Sequence, residues 1–173
     1  MFLSIKELEI RRIHFTESFA PGAIDFSEVQ IRQATPLETD GTATLLQNTG
    51  GEVRIQGRYR VEMTAECDRC LAPATFPLEG RFDLFYRPAG SQKGLEVELD
   101  EGEIEIGFYP GPGIELADVI REQVLLALPM HRLCREDCRG ICPVCGANRN
   151  ESACACETRA ADERWAALRG LKL

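Results

Sequence analysis

Six of the chain's eight cysteines fall between Cys134 and Cys156, in the run CREDCRGICPVCGANRNESACAC. That run is rich in Gly, Asn and charge and carries too little apolar content to fold by burial. Thiolates spaced C-x3-C, C-x2-C and C-x-C can instead converge on a tetrahedral cation as each short loop turns back. The piece Cys142-Pro-Val-Cys145-Gly146 has the form of a zinc knuckle. Pro143 stiffens its turn, and Gly146 frees the backbone to bend so that amide N–H groups face sulfur. Cys154 and Cys156 complete a set of four. Upstream, Cys67-Asp-Arg-Cys70 repeats the C-x2-C spacing, and Cys134 with Cys138 otherwise lacks partners. The eight cysteines therefore divide into Cys142, Cys145, Cys154 and Cys156 for one Zn²⁺, and Cys67, Cys70, Cys134 and Cys138 for a second. The second site is expected to staple the C-terminal segment onto the body of the chain.

Three competing chemistries bear on these thiols. Disulfides want an oxidising compartment, and a redox dithiol wants a C-x2-C that opens a helix after a strand, which is absent here. Four thiolates do not by themselves discriminate zinc from iron. His131, three residues before Cys134, is either a replacement ligand, a donor to a ligand, or a surface histidine; eight cysteines already fill two sites, which favours the surface role. A catalytic zinc keeps an open position, whereas four thiolates close the site, so the metal is expected to be structural. No G-x-S-x-G, P-loop or dinucleotide fingerprint occurs, and His14 and His131 are the only histidines. The chain is not expected to be an enzyme.

The elements that must position these cysteines follow from periodicity. With 173 residues and 44% hydrophobic composition the chain can bury one good core. The expected division is a β-rich core domain with a covering helix over 1–130 and a cysteine-rich segment with a short terminal helix over 131–173. Val53, Ile55, Gly57, Tyr59, Val61, Met63 and Ala65 alternate with polar residues after the turn Asn48-Thr49-Gly50-Gly51, which predicts a long half-buried strand in a hairpin that delivers Cys67 to a sheet edge. Phe76, Leu78, Phe82, Leu84 and Tyr86 keep the rhythm, with a break expected near Gly80. Leu95, Val97 and Leu99, then Ile104, Ile106 and Phe108, alternate with carboxylates and predict an antiparallel pair with one acidic face. From Leu116 to Leu128 the period becomes helical: Leu116, Val119, Ile120, Val124 and Ala127 form a stripe widened by Leu125, Leu126 and Leu128, and Pro129 ends it. Trp165 and Leu168 anchor a last short helix. Residues 1–40 mix both periods and give no clear element. The fold class is α+β: an antiparallel sheet or partly closed barrel, covered by a helix, with a zinc-stapled C-terminal segment.

Charge bounds the partners. The formal net charge is −8, and residues 91–119 carry eight acids against Lys93. Carboxylates at period two line one side of a sheet without converging on a point, which describes a solvated face and not a Mg²⁺ site. That face repels phosphate and suits a basic partner such as a ribosomal protein, while Arg54, Arg58, Arg60 and Arg69 form a local basic set. The first residues lack the apolar stretch of a signal or membrane span and the Arg/Ser-rich character of a transit peptide. A cytoplasmic setting, where thiols stay reduced, is expected.

These residues carry a resemblance. A strand ending Cys67-Asp68-Arg69-Cys70-Leu71 with Pro73 precedes an acidic β segment and a helix ending Leu125-Leu126-Ala127-Leu128-Pro129. Then come Cys134-x3-Cys138-Arg139-Gly140-Ile141-Cys142-Pro143-x-Cys145-Gly146, Asn148-x-Asn150, Cys154-x-Cys156 and Trp165-Ala166-Ala167-Leu168. Over roughly Gly51 to Leu171 the pattern resembles the YceD-like family of large-subunit ribosomal RNA accumulation proteins. Arg149 stands where an apolar residue is common, and residues 1–40 match no motif. The resemblance implies a non-enzymatic factor for 23S ribosomal RNA accumulation in a bacterial or plastid setting, often encoded beside a zinc-ribbon protein of the large subunit. Its partner would be precursor 23S RNA or a basic large-subunit protein. The alternative class is a zinc-ribbon nucleic-acid-binding or transcription regulator; four arginines against three acids between Arg132 and Glu151 are too balanced to favour DNA phosphate.

Overall fold

The computed structural model describes residues 1–90 and 106–156. The chain forms two compact units, one from Met1–Ala65 and Thr75–Met130, the other from Glu66–Ala74 and the residues from His131 onward. The expected strand residues Leu95, Val97, Leu99 and Ile104, their acidic face, and the helix anchored by Trp165 and Leu168 lie outside the described residues.

The first unit is built on strands. In chain order these are β1 (Phe2–Ser4), β2 (Ile13–Phe19), β3 (Arg32–Gln33), β4 (Leu37–Leu45), β5 (Val53–Glu66), β6 (Pro73–Pro88), β7 (Ile106–Tyr109) and β8 (Gly113–Glu115), with helices α1 (Ile5–Leu8) and α2 (Leu116–Leu126). One sheet runs β2-β4-β5-β6-β7 with β3 also on β5, and β1 pairs with β8 in a second, small sheet. The sheet is mixed: β2, β4 and β5 pair antiparallel, while β6 and β7 are parallel, with Phe85 opposite Ile106. A parallel neighbour needs a long crossover, and the residues between Pro88 and Ile106 provide the length for it.

The alternation in β5 does what its period dictates. Val53, Ile55, Tyr59, Val61, Met63 and Ala65 are buried, and Arg54, Arg58 and Arg60 lie on the other face. The turn before it holds Asn48, Gly50 and Gly51 at positive φ, and Leu45 faces Val53 across the hairpin. β6 continues through Gly80 without the expected break. The glycine serves packing: a Cβ there would stand 2.8 Å from the Tyr59 ring, so Gly80 makes room for a buried tyrosine and does not end the strand.

Helix α2 buries Leu116, Val119, Ile120 and Val124, which belong to the same apolar cluster as the inward residues of β4 and β5. Tyr59 Oη donates to the Gln123 carbonyl at 3.2 Å. The helix ends two residues earlier than its apolar run, and Leu126 is 80% exposed. No helix of the described residues is long and apolar enough to cross a membrane.

Candidate metal centres

Among the described residues the second unit is made largely of turns. Among the described residues its core is Cys67, Cys70, Cys138 and Ala74, with Ala72, Leu133 and Cys134 packed against them. Cys67 to Ala72 is the turn joining β5 to β6.

Both C-x2-C pieces fold alike. The Leu71 N–H donates to the Cys67 carbonyl at 2.9 Å, and the Gly146 N–H donates to the Cys142 carbonyl at 2.9 Å. The residue after the second cysteine turns left-handed in each, at φ 61° for Leu71 and 75° for Gly146. Glycine takes that conformation freely and leucine does not. Asp68 ties its turn to the distant segment: its N–H donates to the Arg132 carbonyl at 2.9 Å, and its carboxylate accepts from the Arg132 N–H at 2.7 Å. Arg69 adds a bond to the Cys138 carbonyl at 3.0 Å, and its own carbonyl accepts the Ile141 N–H at 3.0 Å.

The eight sulfurs lie in two groups. Cys67, Cys70, Cys134 and Cys138 form one, Cys142, Cys145, Cys154 and Cys156 the other, with all ligand atoms of a group within 4.8 Å of one another. Cys67 and Cys138 sulfurs are 3.8 Å apart, Cys70 and Cys134 sulfurs 3.6 Å. A disulfide needs about 2.05 Å, and all eight cysteines are free. A tetrahedral ion with metal–sulfur bonds of about 2.3 Å has edges of about 3.8 Å, so either group can hold a single metal ion. His131 is exposed and joins neither group.

The thiol electrostatics suit a cation. Burial opposes ionisation of Cys67, yet N–H groups of Arg69, Cys134 and Cys70 outweigh it and hold the thiol down to about 6. The N–H groups of Cys145 and Val144 likewise hold Cys142 down to about 6. Crowding acts oppositely on their neighbours: Cys70 pushes Cys134 up to about 12, and Cys145 pushes Cys156 up to about 12. Each group thus offers a ready thiolate beside a thiol that stays protonated until positive charge enters. The first group is the more enclosed, with Cys67, Cys70 and Cys138 buried; in the second Cys145 is exposed.

In the sequence, Asn148 and Asn150 stand only as part of an Asn-x-Asn pattern with no assigned role. The structure places the Asn150 amide 3.3 Å from the Cys138 sulfur. Two short amides inside a cysteine loop, where a flexible tether would want Gly or Ser, were the available signal.

The basic set is largely occupied. Arg54 pairs with Asp83 and also lies 5.5 Å from the Phe85 ring centre, and Arg58 pairs with Asp40. Arg132 and Arg135 pair with Asp68 and Asp137. Such matched charges leave little field to draw phosphate.

A mixed-sheet protein carrying a separate unit of two four-cysteine groups is the class defined by fold and site. Residues 55–172 match the family model of the large ribosomal RNA subunit accumulation protein YceD. The span contains all eight cysteines, and the chain belongs to that family. An uncharacterized protein of Mycobacterium tuberculosis is 28% identical over 156 residues, covering 86% of this chain and 68% of the relative. The maize chloroplastic homolog 1 of the large ribosomal RNA subunit accumulation protein YCED is 26% identical over 164 residues, covering 81% of this chain and 54% of its own length. No solved structure matches.

Proposed function

We propose that the chain is a non-enzymatic ribosome-biogenesis factor that promotes 23S ribosomal RNA accumulation and large-subunit assembly, and that its two four-cysteine groups each hold a structural Zn²⁺. The observation that carries the role is membership of a family described by large ribosomal RNA subunit accumulation, over a span that takes in both groups. Zinc is supported by sulfur spacings that fit a single tetrahedral ion; a multi-iron cluster would hold the sulfurs farther apart. With four thiolates per ion no coordination position stays open for a substrate. The cysteines themselves would hold the metal, and what it supplies is fixed geometry. Free thiols and the absence of a spanning helix among the described residues agree with a cytoplasmic protein. Its partner is precursor 23S RNA or a basic large-subunit protein, the latter attracted to the acidic stretch of 91–119.

Depletion in cells, followed by gradient sedimentation, tests the role. The 23S to 16S ratio should fall, and the native protein should migrate with large-subunit precursors. An unchanged ratio together with association with RNA polymerase or promoter DNA would favour the zinc-ribbon regulator instead. The pairing of Arg132 and Arg135 lends that alternative little support.

A further inference from the structure

The Asn150 side chain joins the two cysteine groups. It lies in the loop between Cys145 and Cys154, which the second group closes, yet its Nδ2 points at a sulfur of the first. Every hydrogen-bonding position of that amide is used. Oδ1 accepts the Arg139 N–H at 2.8 Å and an Arg135 guanidinium N–H at 3.0 Å. A backbone N–H can only donate, so this end of the amide must be oxygen and the other nitrogen. The nitrogen then has two hydrogens, one for Asn148 Oδ1 at 2.9 Å and one for Cys138 Sγ at 3.3 Å.

Asn148 holds Asn150 in this pose. Its Oδ1 also accepts the Asn150 N–H at 3.0 Å, and its Nδ2 donates to Glu151 at 2.8 Å. The loop is clipped to the strand of chain between the two groups by Arg149 N–H to the Gly140 carbonyl at 2.9 Å and Cys142 N–H to the Ala147 carbonyl at 2.8 Å. The amide donor is therefore placed by a loop whose ends are the ligands Cys145 and Cys154.

We infer that Asn150 is a positioning residue that couples metal retention at the two groups: closure of the second group fixes the Asn150 amide, which orients and stabilises the Cys138 thiolate of the first. The inference rests on the proposal that both groups bind metal. A hydrogen bond to a ligand sulfur favours its charged form and fixes its direction, and loss of such a partner typically lowers metal affinity about tenfold to a hundredfold. Coupling of this kind is reciprocal, so metal at the first group also tightens the second. Metal at the exposed group thereby raises the affinity of the enclosed group for its ion.

Loading the full chain with ¹¹³Cd²⁺ gives an NMR signal for each group, assigned with Cys67→Ser and Cys154→Ser, and a competing chelator reads their affinities separately. Asn150→Ala should weaken the first group about tenfold to a hundredfold. Cys154→Ser, which opens the loop, should weaken it to a similar degree, and combining the two should add nothing. Asn150→Asp keeps the size but turns a carboxylate toward sulfur, so it should loosen the first group at least as much as alanine does. An unchanged first group in Asn150→Ala, multiplied losses in the double variant, or native-like affinity in Asn150→Asp would each overturn the coupling. Absence of bound ¹¹³Cd²⁺ in the unaltered chain would overturn the metal proposal beneath it.

Discussion

The first unit buries Leu3, Leu37, Ile55, Met63, Leu116 and Ile120 completely, each contributing about 1.5–3 kcal/mol through removal of apolar surface from water. Among its described residues the second buries mainly sulfur, with Ala74 the sole aliphatic side chain fully inside its cluster. Strand and helix periodicity builds the one; turns, left-handed residues and side-chain amides build the other. Described residues that bury so little aliphatic surface offset little of their chain entropy by burial, so the proposed metal ions are expected to supply the order. The two units should therefore fail under different insults.

Metal removal gives the largest expected effect. Structural zinc supplies about 10–16 kcal/mol of apparent folding free energy to small modules. A strong chelator should abolish hydrogen-exchange protection over 66–74 and 134–156 and leave the first unit's β4, the rest of β5 and β6, and β7 largely protected. Loss of protection in both units would break the contrast. Cys67→Ser should do to one site what the chelator does to both, and faster proteolysis near Cys134 would show it.

The reverse insult is Ile120→Ala. A cavity at a fully buried helix position should cost about 2–5 kcal/mol in denaturant unfolding, with two metal ions still bound per chain by elemental analysis. Loss of metal along with stability would mean that the units do not fail separately.

Gly140→Ala sharpens the contrast at a smaller scale. Gly140 has φ 71°, and a Cβ would stand 2.9 Å from the Arg69 carbonyl oxygen, which accepts the Ile141 N–H. Strain of about 1–3 kcal/mol should appear as faster metal release, with the melting of the first unit unmoved. The smallest effect belongs to Leu71→Gly. It should relieve about 1–2 kcal/mol of left-handed strain against about 0.5–1 kcal/mol of added unfolded-chain entropy. A slight gain in metal retention is expected; a loss would show that the exposed leucine side chain supports the turn.

Much of this organisation was legible in the residues. The period-two run fixed β5, the turn glycines set its hairpin, and the helical stripe marked α2 to within two residues of its end. Cysteine spacing divided the thiols into the two groups that the structure brings together. What escaped has physical reasons. Within residues 1–40, β1, β3 and α1 are two to four residues long, too short for a period to show, and the seven-residue β2 buries only Ile13 and Phe15, so its alternation fades among its neighbours. The parallel partner of β6 depends on a crossover, which alternation does not encode. Gly80 resembles a strand breaker unless Tyr59 is known to lie against it. Asn150 carries no assigned role in the sequence because its partner sulfur belongs to the other group.

The two cysteine groups also differ in how far apart their members lie along the chain. The second spans 14 positions, from Cys142 to Cys156, and the first 71, from Cys67 to Cys138. Closing a loop about five times longer costs about 1.4 kcal/mol more, so the second group is the one that can assemble on its own. Synthesis sharpens the asymmetry. At about 5–20 residues per second, the 64 positions from Cys70 to Cys134 take roughly 3–13 s to make. For that interval the hairpin turn presents two thiols, with half of the site's ligands still unmade, and the Cys134 N–H that helps to hold Cys67 down is not yet there.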